Sequence, residues 1–243
     1  QTDFYKLSLI LYEIRDKYKK VPYHNFSHAV DVSQFVYMSL IKGKLLDSFE
    51  PIEIVALFLA SICHDISHDG IDSTTMTNCN SALSFSFGIL SPLERNHAFI
   101  ASELLKKTDI SQIIDNQHFW EFFVNVIIAT DITRSSEFLT KFNNQFIDNG
   151  KFDKTNKDHR LLLAQFIVIC GNISNCIRPF EFASLMAERI NQERSSQIEY
   201  ENNHDYQRKD ESNNRKLQEI EVDFIEKTAS SLFKAFNIFI PDI

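Results

Sequence analysis

Apolar side chains return every three or four residues along most of the chain, the period of an α-helix with one buried face. In FYKLSLILYEIR (4–15) they are Phe4, Leu7, Ile10, Leu11 and Ile14, all on one side. Residues 28–41 repeat the pattern with Val32, Phe35, Val36 and Leu40. Pro51 opens the next helix, because its fixed φ suits the first helical position and its missing N–H has no partner to lose there. The run PIEIVALFLASIC that starts with it is apolar nearly all round, as in a helix enclosed on most sides. Further helical periods cover 93–105, 119–129, 159–170, 180–190 and 217–236. No strand-length alternation competes with them, and no internal repeat is visible. The pattern predicts an all-α fold in a single domain over 1–243. Residues 191–216 break it: NQERSSQIEYENNHDYQRKDESNNRK is polar, charged and nearly without aliphatics. Such a stretch has little apolar surface to bury, so a mobile loop or insertion is expected there. A solvated spacer is its plainer role and a lid over a pocket the alternative.

Composition narrows the class. Glycine and proline number five each, too few for a collagen-like, proline-rich or turn-dense all-β chain. Twenty-two phenylalanines supply ample core. The formal charge of −8 argues against a nucleic-acid polymer or an anionic membrane surface as the main partner, but leaves room for a small anion held through cations. The four cysteines form no CxxC pair and are too sparse for a disulfide scaffold, so a reducing, cytoplasmic setting is expected. No charge-free apolar run reaches the roughly 18 residues a membrane helix needs. QTDFYKL at the start has no signal-peptide character. The chain also reads as a domain excised from something longer, with regulatory domains outside it.

Five of the eight histidines fall in three short segments: YHNFSHAVDV (23–32), HDISHDG (64–70) and LERNH (93–97). His24 and His28 are four residues apart and share a face if both are helical. His64 and Asp65 end the oiliest helix, where an ionisable pair is costly unless something compensates it. A metal ion is one such partner, and a carboxylate can bridge two cations. Any one of these histidines alone would pass as an ordinary buried polar group. The three segments together favour a metal site.

These segments resemble the catalytic domain of the class I cyclic nucleotide phosphodiesterases, within the wider HD-domain phosphohydrolases. YHNFSHAVDV is similar to the family's leading YHNxxHAxDV motif, and ICHDISHDG to its HDxDHxG motif. IIATDITRS (127–135), GNISNCIRP (171–179) and VDFIEKTASSLF (222–233) resemble three later segments in order. The resemblance implies an all-α domain of about sixteen helices with two divalent metals, zinc and magnesium or manganese, at the base of a deep pocket. His28, His64, Asp65 and Asn172 would be the metal residues, with His68 and Asp131 around the second metal. His24 would be the general acid for the leaving O3′, and Glu94 the catalytic carboxylate beside the metal waters. Ile190 and Phe224 would clamp the base, with Asn175 and Glu221 at its edge. For Asn175, a plain turn asparagine is an equal alternative. Implied is hydrolysis of cAMP or cGMP to the 5′-monophosphate in cyclic nucleotide signalling.

The departures from the family pattern concern charge. Asn172 stands where the family has a metal-binding aspartate, so the amide can coordinate but brings no negative charge. Glu221 stands where the family has a purine-reading glutamine. An ionised carboxylate only accepts hydrogen bonds, which suits the N1–H and N2–H of guanine and not adenine N1; Gln218, one turn earlier, could substitute. Ser67, Ser73, Arg95, Asn96 and Cys176 also differ. Two further readings remain: a catalytically impaired domain that binds a cyclic nucleotide or a protein partner, and a helical scaffold whose histidines do not converge.

Overall fold

The computed structural model describes residues 4–108, 110, 114–148, 150–204 and 217–241. Its α-helices in chain order are α1 (Phe4–Lys17), α2 (Phe26–Lys42), α3 (Pro51–Cys63), α4 (Ser73–Asn78), α5 (Ala82–Phe87), α6 (Pro92–Leu105), α7 (Gln117–Ile128), α8 (Ser135–Phe142), α9 (Lys157–Asn172), α10 (Phe180–Asn203), α11 (Leu217–Phe224) and α12 (Ser230–Phe239). A π-helical stretch, Ile225–Ala229, runs α11 into α12. Among the described residues that makes eleven separate α-helices where about sixteen were expected, with no strand.

The oiliest helix lies at the centre. α2 and α7 both pack on α3, and α9 packs on α2 and α7. This explains why α3 is apolar nearly all round: Ala56, Leu57, Ala60 and Cys63 have no exposed surface. The phenylalanines fill the space between helices, as where Phe142 stacks on Phe166 at 3.7 Å between centroids.

The start of α3 is locked by charge. Glu53 is fully buried, yet it accepts from Arg160 Nε at 2.8 Å and lies 2.8 Å from His118 Nε2. Arg160 also donates to Glu50 at 2.7 Å, and Glu50 and Glu53 cap the helix reciprocally. Stranding one member of such a buried pair costs about 3–5 kcal/mol. This anchor holds the start of α3, and His64 and Asp65 follow its opposite end.

A close approach of α2 and α9 brings in the last component. A Cβ on Gly171 would meet Phe35 and Val32 side-chain carbons at 3.3 Å. Glycine therefore lets the end of α9 sit tightly against α2, and the next residue is Asn172.

Two local expectations are corrected. The polar stretch expected as a loop over 191–216 is helical through Asn203, as the second half of α10. Its residues Glu193, Gln197 and Glu201 recur every four positions and are buried. Gln197 bonds Asp72, and Glu201 accepts from the Thr75 hydroxyl at 2.7 Å. The buried face of this half-helix is polar, so a search for apolar periodicity passes over it. Residues 205–216 lie outside the described residues. On α1, only Ile10 and Ile14 of the five expected core positions are buried, while Phe4 is 84% exposed.

Candidate metal centre and adjoining cavity

Three helix ends meet at the centre. Asn25 caps α2 by accepting from the N–H groups of Ser27 and His28, which starts the helix where His28 faces inward. His64 and Asp65 leave α3 in a turn closed by His68 N–H on Asp65 O at 3.1 Å. That turn contains Ser67 at φ 66°, and Gly70 follows it at φ 77°. Asn172 ends α9. His28 Nε2 lies 2.9 Å from Asn172 Oδ1 and 3.6 Å from Asp65 Oδ2, and His64 Nε2 lies 3.0 Å from Asp65 Oδ2.

These atoms are oriented for a shared occupant. His64 Nδ1 donates to Ser61 O at 2.9 Å, which leaves Nε2 as a lone pair. Asn172 Nδ2 donates to Thr130 O at 3.4 Å, which turns Oδ1 inward. His64 Nε2 and Asp65 Oδ2 are buried and make no hydrogen bond. Tetrahedral ligands about 2.0–2.2 Å from an ion stand roughly 3.3–3.6 Å apart, close to the 2.9–3.6 Å spacings seen here. Two imidazoles, a carboxylate and an amide oxygen are a chemically suitable donor set for a divalent cation. Asp65 also clusters with His68 and His97, so it is shared between two potential cation positions.

A cavity of about 340 Å³ opens beside this centre. At its polar end are Asp65, Asn172, His24, His68, Glu94 and Asp131. Ile190, Phe224, Asn175 and Glu221 also line it. His28 and His64 are not in the lining and join through Asp65 and Asn172. Every site residue expected from sequence therefore belongs to this one region. The side chain of Gln218 lies outside the described residues.

Residues 23–243 match the model of the 3′5′-cyclic nucleotide phosphodiesterase family. The chain belongs to this family. It is 30% identical to the 3′,5′-cyclic-nucleotide phosphodiesterase regA of Dictyostelium discoideum, over 98% of this chain and 31% of that protein. It is 31% identical to the human high affinity cGMP-specific 3′,5′-cyclic phosphodiesterase 9A, over 71% of this chain and 30% of the relative. It thus spans about a third of the length of the curated relatives it matches. The solved structure of LmjPDEB1 in complex with IBMX superposes with a TM-score of 0.86 at 27% identity, covering 96% of this chain and 72% of that one. Divalent metal binding is a property of this phosphodiesterase family, and the clusters above are its candidate positions here.

Within the phosphodiesterase fold, the most consequential residue missed in the sequence is Glu193. Its Oε1 accepts from the backbone N–H of Tyr23 at 2.7 Å and of His24 at 2.8 Å, while Oε2 lies 2.5 Å from His24 Nδ1. It was hidden in the stretch expected as a loop. The one signal was the four-residue recurrence of Glu193, Gln197 and Glu201. Tyr23, quoted in a motif without a role, donates to Asn175 Oδ1 at 3.2 Å. This leaves the Asn175 amide N–H₂ as the donor end.

The electrostatics assign proton positions. Burial disfavours the His24 imidazolium, but the Glu193 bond and the nearby Asp65 and Glu193 charges outweigh it and raise its pKa. Burial and the neighbouring His64 push His28 down to about 3, so it is neutral. Burial alone would raise Asp65, yet the His64, His24 and His68 imidazoles around it hold its carboxyl well below the usual range. Gly70 N–H donates to His68 Nδ1 at 2.8 Å, which puts the His68 proton on Nε2 as a donor. His97 Nδ1 donates to Ile66 O at 2.6 Å, which leaves a buried, unpartnered Nε2 lone pair. Burial, then the Asp131 charge, raises Glu94 to about 7. Glu94 is held by the Ser73 hydroxyl at 2.8 Å.

Proposed function

We propose that this domain hydrolyses 3′,5′-cyclic nucleotides to 5′-monophosphates. The observation that carries the proposal is the convergence of His28, His64, Asp65 and Asn172, with the Glu193-bound His24 lining the same cavity. Two divalent cations, zinc and magnesium with manganese as a substitute, would be held by these residues, the second through Asp65 with His68 and Asp131 around it, and would offset the phosphate charge and acidify water.

The protein's own groups supply the rest. Glu193 accepts a hydrogen bond from His24 Nδ1–H and favours the imidazolium, so Nε2 also carries a proton, the one that goes to the departing O3′. An alkoxide leaving group needs such a donor near neutral pH, which a histidine with a raised pKa provides. Glu94, held by Ser73 and poised near neutrality, and the donor His68 orient water at the reacting phosphate. Ile190 and Phe224 offer apolar faces to the flat base. At its edge, Asn175 presents N–H to an acceptor and Glu221 accepts, a pairing that guanine meets with O6 and with N1–H and N2–H together. The substrate preference is therefore cGMP over cAMP.

No helix among the described residues is long and apolar enough to cross a membrane. We place the domain in the cytoplasm, acting on a small-molecule cyclic nucleotide, with regulatory domains outside this chain. The test is hydrolysis of cGMP and cAMP with zinc, magnesium and manganese supplied singly and in pairs. Release of 5′-GMP that requires a divalent metal and is lost in His24→Ala is expected. Binding of cGMP with no turnover under any metal would replace the proposal with the impaired-domain reading.

A further inference from the structure

A second cavity of about 260 Å³ lies between α2 and α10 and is separated from the first by Tyr23 and Asn175, which line both. On the α2 side it presents Ser27, Val30, Asp31 and Gln34, and on the α10 side Phe182, Met186 and Arg189. We infer that this cavity is a distinct site for a small apolar carboxylate that contacts the metal centre from behind.

Charge selects the class of ligand. Asp31 is already paired with Arg178 at 2.6 Å, so that pair is neutral. Arg189, half-buried in the wall, makes no ion pair or hydrogen bond among the described residues. One uncompensated guanidinium remains, and its planar fork matches a carboxylate through two parallel N–H···O bonds. A phosphate dianion would bring a second negative charge towards Asp31 with no second cation to meet it. The rest of the wall mixes the uncharged polar groups Asn25, Ser27, Gln34 and Asn175 with apolar surface. Met186 is buried, the Tyr23 ring forms part of the floor, and Val30 and Phe182 stand at the opening, 47% and 38% exposed. The volume lies just below the usual range for drug-sized ligands, which suits one or two fused rings.

The consequence is a route to the reaction. His28 and Asn175 line this cavity. His28 meets Asn172 at 2.9 Å, and Asn175 also lines the first cavity. An occupant bears on both without entering the first cavity, so it changes turnover without competing with substrate. Binding itself does not depend on the hydrolytic proposal.

The probe is 2-naphthoate, titrated against the metal-loaded protein by ligand-observed NMR. Saturable binding with a Kd of about 1 mM is expected for a ligand of this size. Excess 5′-GMP or 5′-AMP should not displace it. Arg189→Gln should weaken it about tenfold or more, as should the neutral 2-naphthylmethanol in place of the acid. Gln34→Glu, which keeps Arg189 but adds a carboxylate to the wall, should also abolish binding. No saturation by about 20 mM overturns the inference. So does displacement by a 5′-nucleotide, or unchanged affinity in both variants.

Discussion

Replacing Glu193 by glutamine tests the proton-donor geometry most directly. The carboxylate accepts two backbone N–H groups at 2.7 and 2.8 Å and holds His24 Nδ1 at 2.5 Å. Glutamine keeps one oxygen for the backbone pair, so the turn at Tyr23 and His24 survives. Its amide N–H₂ then meets His24 Nδ1 as a second donor and drives the proton to Nε2 of a neutral ring. A hydrogen bond between two charged groups is worth about 1.5–3 kcal/mol, or roughly 1–2 pKa units. His24 has a raised pKa in the native protein, so it is protonated below that pKa and the donor is lost as pH rises through it. The alkaline limb of kcat should therefore move down by about 1–2 pH units in Glu193→Gln. At pH values above both limbs, kcat should fall about 10- to 100-fold. The assay is the full pH profile of kcat and KM, with metal content and unfolding midpoint measured on the same preparation. An unmoved alkaline limb, with metal content intact and activity within about twofold, would refute the reasoning.

Asn172→Asp adds a negative charge to the donor set and should tighten divalent binding at least about tenfold, read by chelator competition; unchanged affinity would mean residue 172 does not touch the ion. Glu221→Gln should shift the cAMP to cGMP ratio of kcat/KM about tenfold towards cAMP, whereas an unchanged ratio would remove Glu221 from base recognition. Gly171→Ala should gain about 1 kcal/mol of helix propensity and lose about 1–3 kcal/mol to crowding against Phe35 and Val32. Chemical denaturation should show the net loss, and metal should dissociate more readily as Asn172 moves from His28.

The linear pattern carried the local decisions. Helical periods over 93–105, 119–129 and 159–170 correspond to α6, α7 and α9 within a few residues, because a buried face at 3.6-residue spacing is a property of neighbours in sequence. The three histidine-bearing segments were likewise legible, since each motif is only a few residues long. Pro51 marked the start of α3 for the same kind of reason, a backbone constraint contained in one residue.

What the folded chain alone decided concerns partners far apart. Glu193 lies 169 residues from His24, and no local pattern links a glutamate in a polar stretch to a distant imidazole. The second half of α10 buries carboxylates and amides against the α4 region, so hydrophobicity scoring mistook a packed helix for a loop. The exposed side of α1 failed in the opposite sense, with its apolar stripe present and most of it left uncovered. Gly171 looked like one small residue in a helix until the approach of α2 gave it a purpose. Secondary structure follows from contacts within a turn or two, whereas burial and proton ownership depend on which surfaces the chain brings together.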